Sequence, residues 1–385
     1  MISPAPVARD APGVPLAVDL DGTLVKSDML MESLAAVLKR APWLVLALPF
    51  WLARGRAARD RRRRQHGRIA SLILHEAGGH RLRAAIISVV LAIGVYAAFA
   101  FWSDAAKFAD AVRRIGWREG AALLVLSLAN YALRSIRWRF FLMRLGHRLP
   151  WRRCALNYVT GFALTTTPGK AGEAIRSMLL KREFAVPVTD SLAAFFAERF
   201  SDVLALALLS ALALAFLPYG HYVAAAVVAG VVFALWIAAS DARTARIAHA
   251  IAKALPHRFA APLGSLVGQA GRLTRGASLA AGFALSLVAW AAEGYALYLI
   301  AASMGSHAGA AAAIGVYSIA LLGGALFFLP GGLGSTEAFM FVLLMQAGLD
   351  PVAAGAATVI SRVTTLWFAV LLGWIAMLFA RAPLR

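Results

Sequence analysis

Two glycine-rich breaks, each following a long apolar run and each ending in a glutamate, constrain this chain more than any other feature. The first reads Pro168-Gly169-Lys170-Ala171-Gly172-Glu173, the second Pro330-Gly331-Gly332-Leu333-Gly334-Ser335-Thr336-Glu337. Proline removes a backbone donor and glycine adopts conformations closed to other residues, so neither stretch can be an undisturbed helix interior. In water each would be an ordinary loop. Inside a bilayer, an unwound backbone ending in a carboxylate is tolerated only where it lines a protein cavity or pathway.

The composition places the breaks in a bilayer. The chain is 61% hydrophobic, with mean hydropathy +0.72, and only 15% of its residues are charged, against about 25% in ordinary globular domains. Apolar runs long enough to cross a membrane are read at 86–102, 121–141, 195–217, 222–240, 279–302 and 353–379, where about 20 residues are needed. Two more runs, 155–167 and 310–329, lead straight into the breaks and read as re-entrant hairpins. The expected fold is therefore an all-α polytopic membrane protein with about six full spans plus two re-entrant hairpins.

The formal net charge is +20, from 39 Lys and Arg against 19 Asp and Glu. Nucleic acid is excluded as the reason, because no basic soluble domain with base-stacking aromatics is left once the spans are removed. The charges sort by topology instead. With the N-terminus inside, the basic block 54–83, the loop 144–153 and the loop 241–275 all fall on the cytoplasmic face. The loops 218–221, 303–309 and 347–350, on the other face, hold no Lys or Arg, and Arg381 and Arg385 end the chain inside. Counting either hairpin alone as a full crossing spoils this agreement. The single cysteine, Cys154, excludes an intrachain disulfide and a cysteine-based metal cage, and the sequence predicts no metal and no cofactor. The proline-rich start lacks the apolar core of a cleavable signal.

The two breaks belong to an internal repeat. Leu126-Ser127-Leu128 with Gly146 matches Leu285-Ser286-Leu287 with Gly305, and Glu173 and Glu337 are followed 26 and 25 residues later by Arg199 and Arg362. Each half, about 120–217 and about 279–380, reads as span, hairpin, break, glutamate and an arginine-bearing span. The topology makes the halves enter from opposite sides, an inverted repeat of the kind whose binding site lies near mid-membrane, where broken helices meet.

Charges within spans are costly and mark functional interiors. The candidates here are Arg134, Glu198, Arg199, Asp202, Glu293 and Arg362. Glu198 and Asp202, four apart, share a helix face, and Arg199 can bridge to Asp202. Glu293 has no partner nearby in sequence and is expected to titrate or meet a cation. Arg134 holds the corresponding place in the first half, and an Arg134–Glu293 pair is one arrangement. Trp138, Trp151, Trp290, Trp367 and Trp374 read as interfacial anchors or packing rather than ligands.

Two resemblances attach to these residues. Leu16 to Leu24, with Asp19 and Asp21 before Gly22, resembles the first motif of haloacid-dehalogenase (HAD) phosphatases, and the continuation resembles the short HAD head of fusions with UbiA-type prenyltransferases. The resemblance implies an α/β fragment over 1–80, with Asp19 as nucleophile and Asp21 as acid/base. The later serine or threonine, lysine and acidic pair of that family are not found, so both aspartates read as a catalytically silent remnant.

From 83 to 381 the chain resembles the transmembrane region of lysylphosphatidylglycerol synthases and the stand-alone bacterial membrane proteins that share it. The carrying motifs are 168–173 with Arg176, Glu198-Arg199-Phe200-Ser201-Asp202, 330–337 and Arg362. The resemblance implies an inner-membrane lipid flippase without the aminoacyltransferase domain of the bifunctional members, since the chain stops at Arg385. It implies as cargo an anionic phospholipid, a polyprenyl-linked lipid or a hopanoid. Pro168, Gly169, Gly172, Glu173, Arg176, Glu198, Arg199, Asp202, Glu293, Pro330, Gly331, Gly332, Gly334, Glu337 and Arg362 would form the substrate path, with arginines receiving an anionic headgroup. Two other readings stay open: a lipid-phosphate phosphatase acting through Asp19, and a non-transporting partner of a lipid-synthesis enzyme. A second copy of the chain is a further partner.

In a Cys154→Ala background, cysteines introduced by Ser306→Cys and Asp350→Cys are expected to react with a membrane-impermeant maleimide from the periplasmic side. Labelling of either from the cytoplasm would remove the inverted topology.

Overall fold

A computed structural model describes residues 110, 112–166, 171–214, 219–238, 240, 242–243, 246, 269–327 and 330–380; at 171–175, 330 and 380 it describes the backbone only. The HAD-like segment, the basic block 54–83 and the first expected span, 86–102, lie outside the described residues, as does most of the loop 241–275.

The first described long helix, α1 (Trp117–Arg144), has Glu119 in its first turn and Arg144 in its last, matching the helix dipole. It ends in a left-handed Gly146, with His147 N–H reaching back to Leu142 O at 3.0 Å, the pattern that closes a helix on orphan carbonyls. Then come α2 (Trp151–Thr160), continued by a 3-10 turn at Gly161–Leu164, and α3 (Ala171–Phe184). Next are α4 (Val188–Leu214) and α5 (Gly220–Ala238). The second half repeats the order: α6 (Gly276–Ser303), α7 (Ala310–Leu326), a short turn at Pro330–Gly332, and α8 (Ser335–Gln346). It closes with α9 (Pro351–Arg362), a π-turn at Val363–Trp367 and α10 (Phe368–Ala380). All the regular structure among the described residues is helical.

Helices α1 and α6 correspond closely. Each has 28 residues, and α6 ends in a left-handed Gly305 with Ser306 N–H on Ala301 O at 2.9 Å, repeating the end of α1. They pack antiparallel: Asn130 meets Ala289, Arg137 meets Ser286, Phe141 lies against Gly282, and Arg144 meets Ser278. Asn130 and Ala289 are 159 residues apart, the same offset that separates Gly146 from Gly305. A residue that touches its own counterpart marks the axis about which the halves are related.

Three helices are long and apolar enough to cross a membrane: Gly220–Ala238, Gly276–Ser303 and Pro351–Phe379. Helices α1 and α4 match them in length, but their internal charges lower their hydropathy. The arms around the breaks are shorter. At 1.5 Å per residue, the 12 residues of α8 reach about 18 Å and the 14 of α3 about 21 Å, against a hydrocarbon core of about 30 Å. One expectation is corrected: the charge topology puts 170–182 on the cytoplasmic face as a loop, but from Ala171 the chain is helical, because Ala, Leu, Met and Lys favour helix and Arg176, Ser177 and Leu180 form a buried face.

The core exchanges arms between halves. Helix α7 of the second half packs on α4 of the first, and α2 of the first packs on α10 of the second. A glycine sits at each crossing: a Cβ on Gly315 would run into the backbone of Ala213, and one on Gly373 would run into the backbone of Ala163. Small residues allow such backbone approach, which is how helices associate where no hydrophobic effect drives them together. Helix α5, by contrast, turns Val223, Val232, Phe233 and Trp236 outward.

Because the atoms met are backbone, Gly373→Ala is expected to destabilise by about 1 to 3 kcal/mol, the usual cost of overpacking. Gly230→Ala, which meets open space, should be neutral or stabilising. Thermal unfolding in detergent compares the two.

Candidate functional site

The second break explains how a chain can unwind inside this bundle. Gly331, Gly332 and Gly334 all adopt positive φ, at 62°, 69° and 83°, a region that side chains disfavour. Gly331 O accepts from Arg362 Nη2 at 2.7 Å, and Gly332 O accepts from the Ser335 hydroxyl at 3.3 Å. Arg362 Nε also donates to Glu337 Oε1 at 2.8 Å. One buried guanidinium thus holds both the carboxylate and the unwound backbone.

The chain leading into the first break runs up against the second. A Cβ on Gly331 would lie 3.5 Å from Cα of Thr166 and 3.7 Å from Leu366, so the chain entering the first break touches the second and the π-turn. Pro168 and Gly169 lie outside the described residues, and of Gly172, Glu173 and Pro330 only the backbone is described.

Beside this meeting point lies an ion network shared by α1, α3, α4 and α6. Arg137, fully buried, donates from Nη1 to Asp202 Oδ1 at 2.5 Å and to the Ser286 hydroxyl, and from Nη2 to Glu198 Oε1 at 3.2 Å. The other Glu198 oxygen accepts from Arg176 Nη2 at 3.1 Å, and the Arg176 guanidinium lies 4.1 Å from the Trp138 ring centroid and 4.8 Å from that of Tyr158. Asp202 also takes the Trp290 indole N–H at 2.9 Å and pairs with Arg199 at 3.1 Å. Both carboxylates are therefore held from several helices, as buried charges must be.

Of the sequence-predicted residues, Arg176, Glu198, Arg199 and Asp202 come together here, while Gly331, Gly332, Gly334, Glu337 and Arg362 form the second cluster. Glu293 is buried but not alone, since it accepts the Tyr317 hydroxyl from α7. The Arg134–Glu293 pair is not formed. Arg134 lies over the rings of Trp290 and Phe162 instead, at 5.0 and 5.7 Å. Trp138 is a core residue and Trp290 a ligand of Asp202, so neither is an interfacial anchor. Arg137 was missed, although its place one turn beyond Arg134 put it on the same face of α1. No group of three or more metal-ligating side chains occurs among the described residues.

These features define a polytopic helical membrane protein with a paired-arginine interior. Residues 85–373 match the family described as the lysylphosphatidylglycerol synthase TM region. The chain belongs to that family. It is also similar to a UPF0104 membrane protein of Methanothermobacter thermautotrophicus, 26% identical over 305 residues, covering 74% of this chain and 90% of that protein. A second match to a UPF0104 membrane protein of the same organism is 34% identical over 86 residues, 22% of this chain and 25% of that protein.

Removing Arg137 leaves two buried carboxylates short of a donor, a change that costs about 3 to 5 kcal/mol. Arg137→Ala is expected to lower the unfolding temperature sharply. Arg113→Ala, whose pair with Asp110 is exposed, should leave it unmoved.

Proposed function

We propose that this protein is a lipid translocase of the bacterial inner membrane, with an anionic or isoprenoid lipid as cargo. The observation that carries the reading is the approach of the chain leading into the first break to the second break, Thr166 against Gly331, together with the buried arginine–carboxylate clusters. Irregular backbone at membrane depth is tolerated where it lines a pathway, and membership of a membrane-domain family associated with phospholipid synthases fits that use. The antiparallel crossing of α1 and α6 supports an inverted repeat, and the short α2–α3 and α7–α8 arms support two re-entrant hairpins. Substrate paths of transporters lie at the interface of such repeats.

In this mechanism each break is a gate. Arg362 closes the second by holding Gly331 O and Glu337, and Arg176 fixes α3, which follows the first break, to Glu198. A headgroup phosphate competes for these guanidinium groups, since arginine binds phosphate as well as carboxylate in a two-pronged geometry. Each arginine then exchanges one anion for another without being left bare in the bilayer.

In proteoliposomes assayed with fluorescent phosphatidylglycerol and polyprenyl phosphate analogues, Glu337→Gln and Arg362→Ala are each expected to slow translocation at least about tenfold, the loss of roughly 1.4 kcal/mol of coupling. Asp19→Asn should leave the rate unchanged. Translocation unaffected by both core variants would defeat the proposal, and loss of function in Asp19→Asn alone would favour the phosphatase.

A further inference from the structure

Arg134 differs from the other arginines of the interior. Arg137, Arg176, Arg199 and Arg362 each hold a carboxylate. Among the described residues no carboxylate lies within ion-pair distance of Arg134, and its buried Nε has no hydrogen-bond partner. The nearby acids are engaged: Glu198 by Arg137 and Arg176, Asp202 by Arg137, Arg199 and Trp290, and Glu293 by Tyr317. The guanidinium is nevertheless half-buried rather than sealed. Its flat faces lie by Trp290 and Phe162, which leaves its N–H edge for a ligand.

Two more donors without partners stand close by. Trp138, one turn further along α1, has a buried indole N–H with no acceptor, and Tyr158 on α2 has a buried hydroxyl with none. The two rings are 6.2 Å apart, and Tyr158 contacts Phe162 at 5.3 Å, the same ring over which Arg134 lies. A cation and two neutral donors, all unsatisfied, call for an acceptor that carries negative charge. A protein acid would have served a purely structural role, and among the described residues none is supplied.

We infer that Arg134, with Trp138 and Tyr158 behind it, is a binding site for a phosphate anion, which the position near the middle of α1 assigns to a lipid headgroup. The guanidinium takes two phosphate oxygens through its N–H edge. The site lies between the chain entering the first break and α6, on the path that the translocase reading describes. The inference rests on that reading for the route of the lipid but not for the binding itself.

The test uses full-length protein in nanodiscs of digalactosyldiacylglycerol, a lipid without phosphate, alone, of the same lipid doped with phosphatidylglycerol, and of the same lipid with inorganic phosphate added. Unfolding temperature and lipid retention by native mass spectrometry are the readouts. Wild type should gain stability and retain phosphatidylglycerol; Arg134→Gln should lose both, with binding weakened about tenfold or more, and Arg134→Lys should keep part. In the phosphate-free lipid alone Arg134→Gln should unfold at or above the wild-type temperature, because it removes a cation that has no bound anion there. Undiminished phosphatidylglycerol binding by Arg134→Gln would overturn the site, as would its destabilisation in the phosphate-free lipid alone. Equal stabilisation by inorganic phosphate would overturn the lipid assignment. If Arg134-dependent binding persists in a protein that moves no lipid, the translocase reading falls and the site stands. If an Arg134→Gln protein binds undiminished and transports at the wild-type rate, the site falls and the translocase reading stands.

Discussion

Arg137 is the interaction on which the arrangement of the helices depends. A guanidinium buried to this degree in a membrane interior must find its acceptors within the protein, and each one found fixes a helix. Glu198 and Asp202 lie four apart on α4 and present two carboxylates to one arginine of α1. Ser286 and Trp290, also four apart, bring α6 to the same point, one through Arg137 and the other through Asp202. Helices that could slide along one another on apolar contacts alone are thereby held in one register. The crossing at Asn130 and Ala289 follows from that register, because it lies two turns along the same seam.

The symmetry of the halves extends to hydrogen bonds but not to charge. Tyr131 holds in α1 the place of Trp290 in α6. With Arg199 and Arg362 taken as counterparts, Asp202 and Thr365 lie three residues further on in each half. The Trp290 indole donates to Asp202, and the Tyr131 hydroxyl donates to the backbone carbonyl of Thr365. One geometric bond is thus made twice across the axis, once to a carboxylate and once to a neutral group. The same offset makes Arg134 the counterpart of Glu293, so a cation in one half corresponds to an acid in the other.

Much of this was legible in the sequence, and the unread part has a common cause. The breaks, their glutamates and the paired arginines are local signals, and the Arg199–Asp202 bridge follows from helical spacing. The repeat predicted that α1 and α6 would be equivalent, down to the glycines that end them. Arg137 was not legible because its partners are 61, 65 and 149 residues away, and its spacing on α1 alone names none of them. Trp290 and Tyr317 were missed for the same reason: indole and phenol groups are common in spans, and only the fold shows which polar atom each serves. Helix α3 was hidden by its charges, which suit a loop as well as a short arm.

The π-turn after Arg362 shows why the second half could not simply copy the first. Helix α4 runs unbroken past Arg199, whose side chain needs only to reach Asp202 one turn away. Arg362 has two demands, Glu337 and the carbonyl of Gly331, on a break that bends toward it through three left-handed glycines. Widening the next turn lets the helix meet those demands and still bring Leu366 against Gly331. It also disturbs the regular backbone ladder, which makes a donor from outside the helix valuable in a dry interior. Tyr131 supplies that donor to Thr365, the position where the first half places a carboxylate. The break, the widened turn and the neutral contact of the second half are therefore one linked adaptation, and the charged network of the first half is its counterpart across the axis.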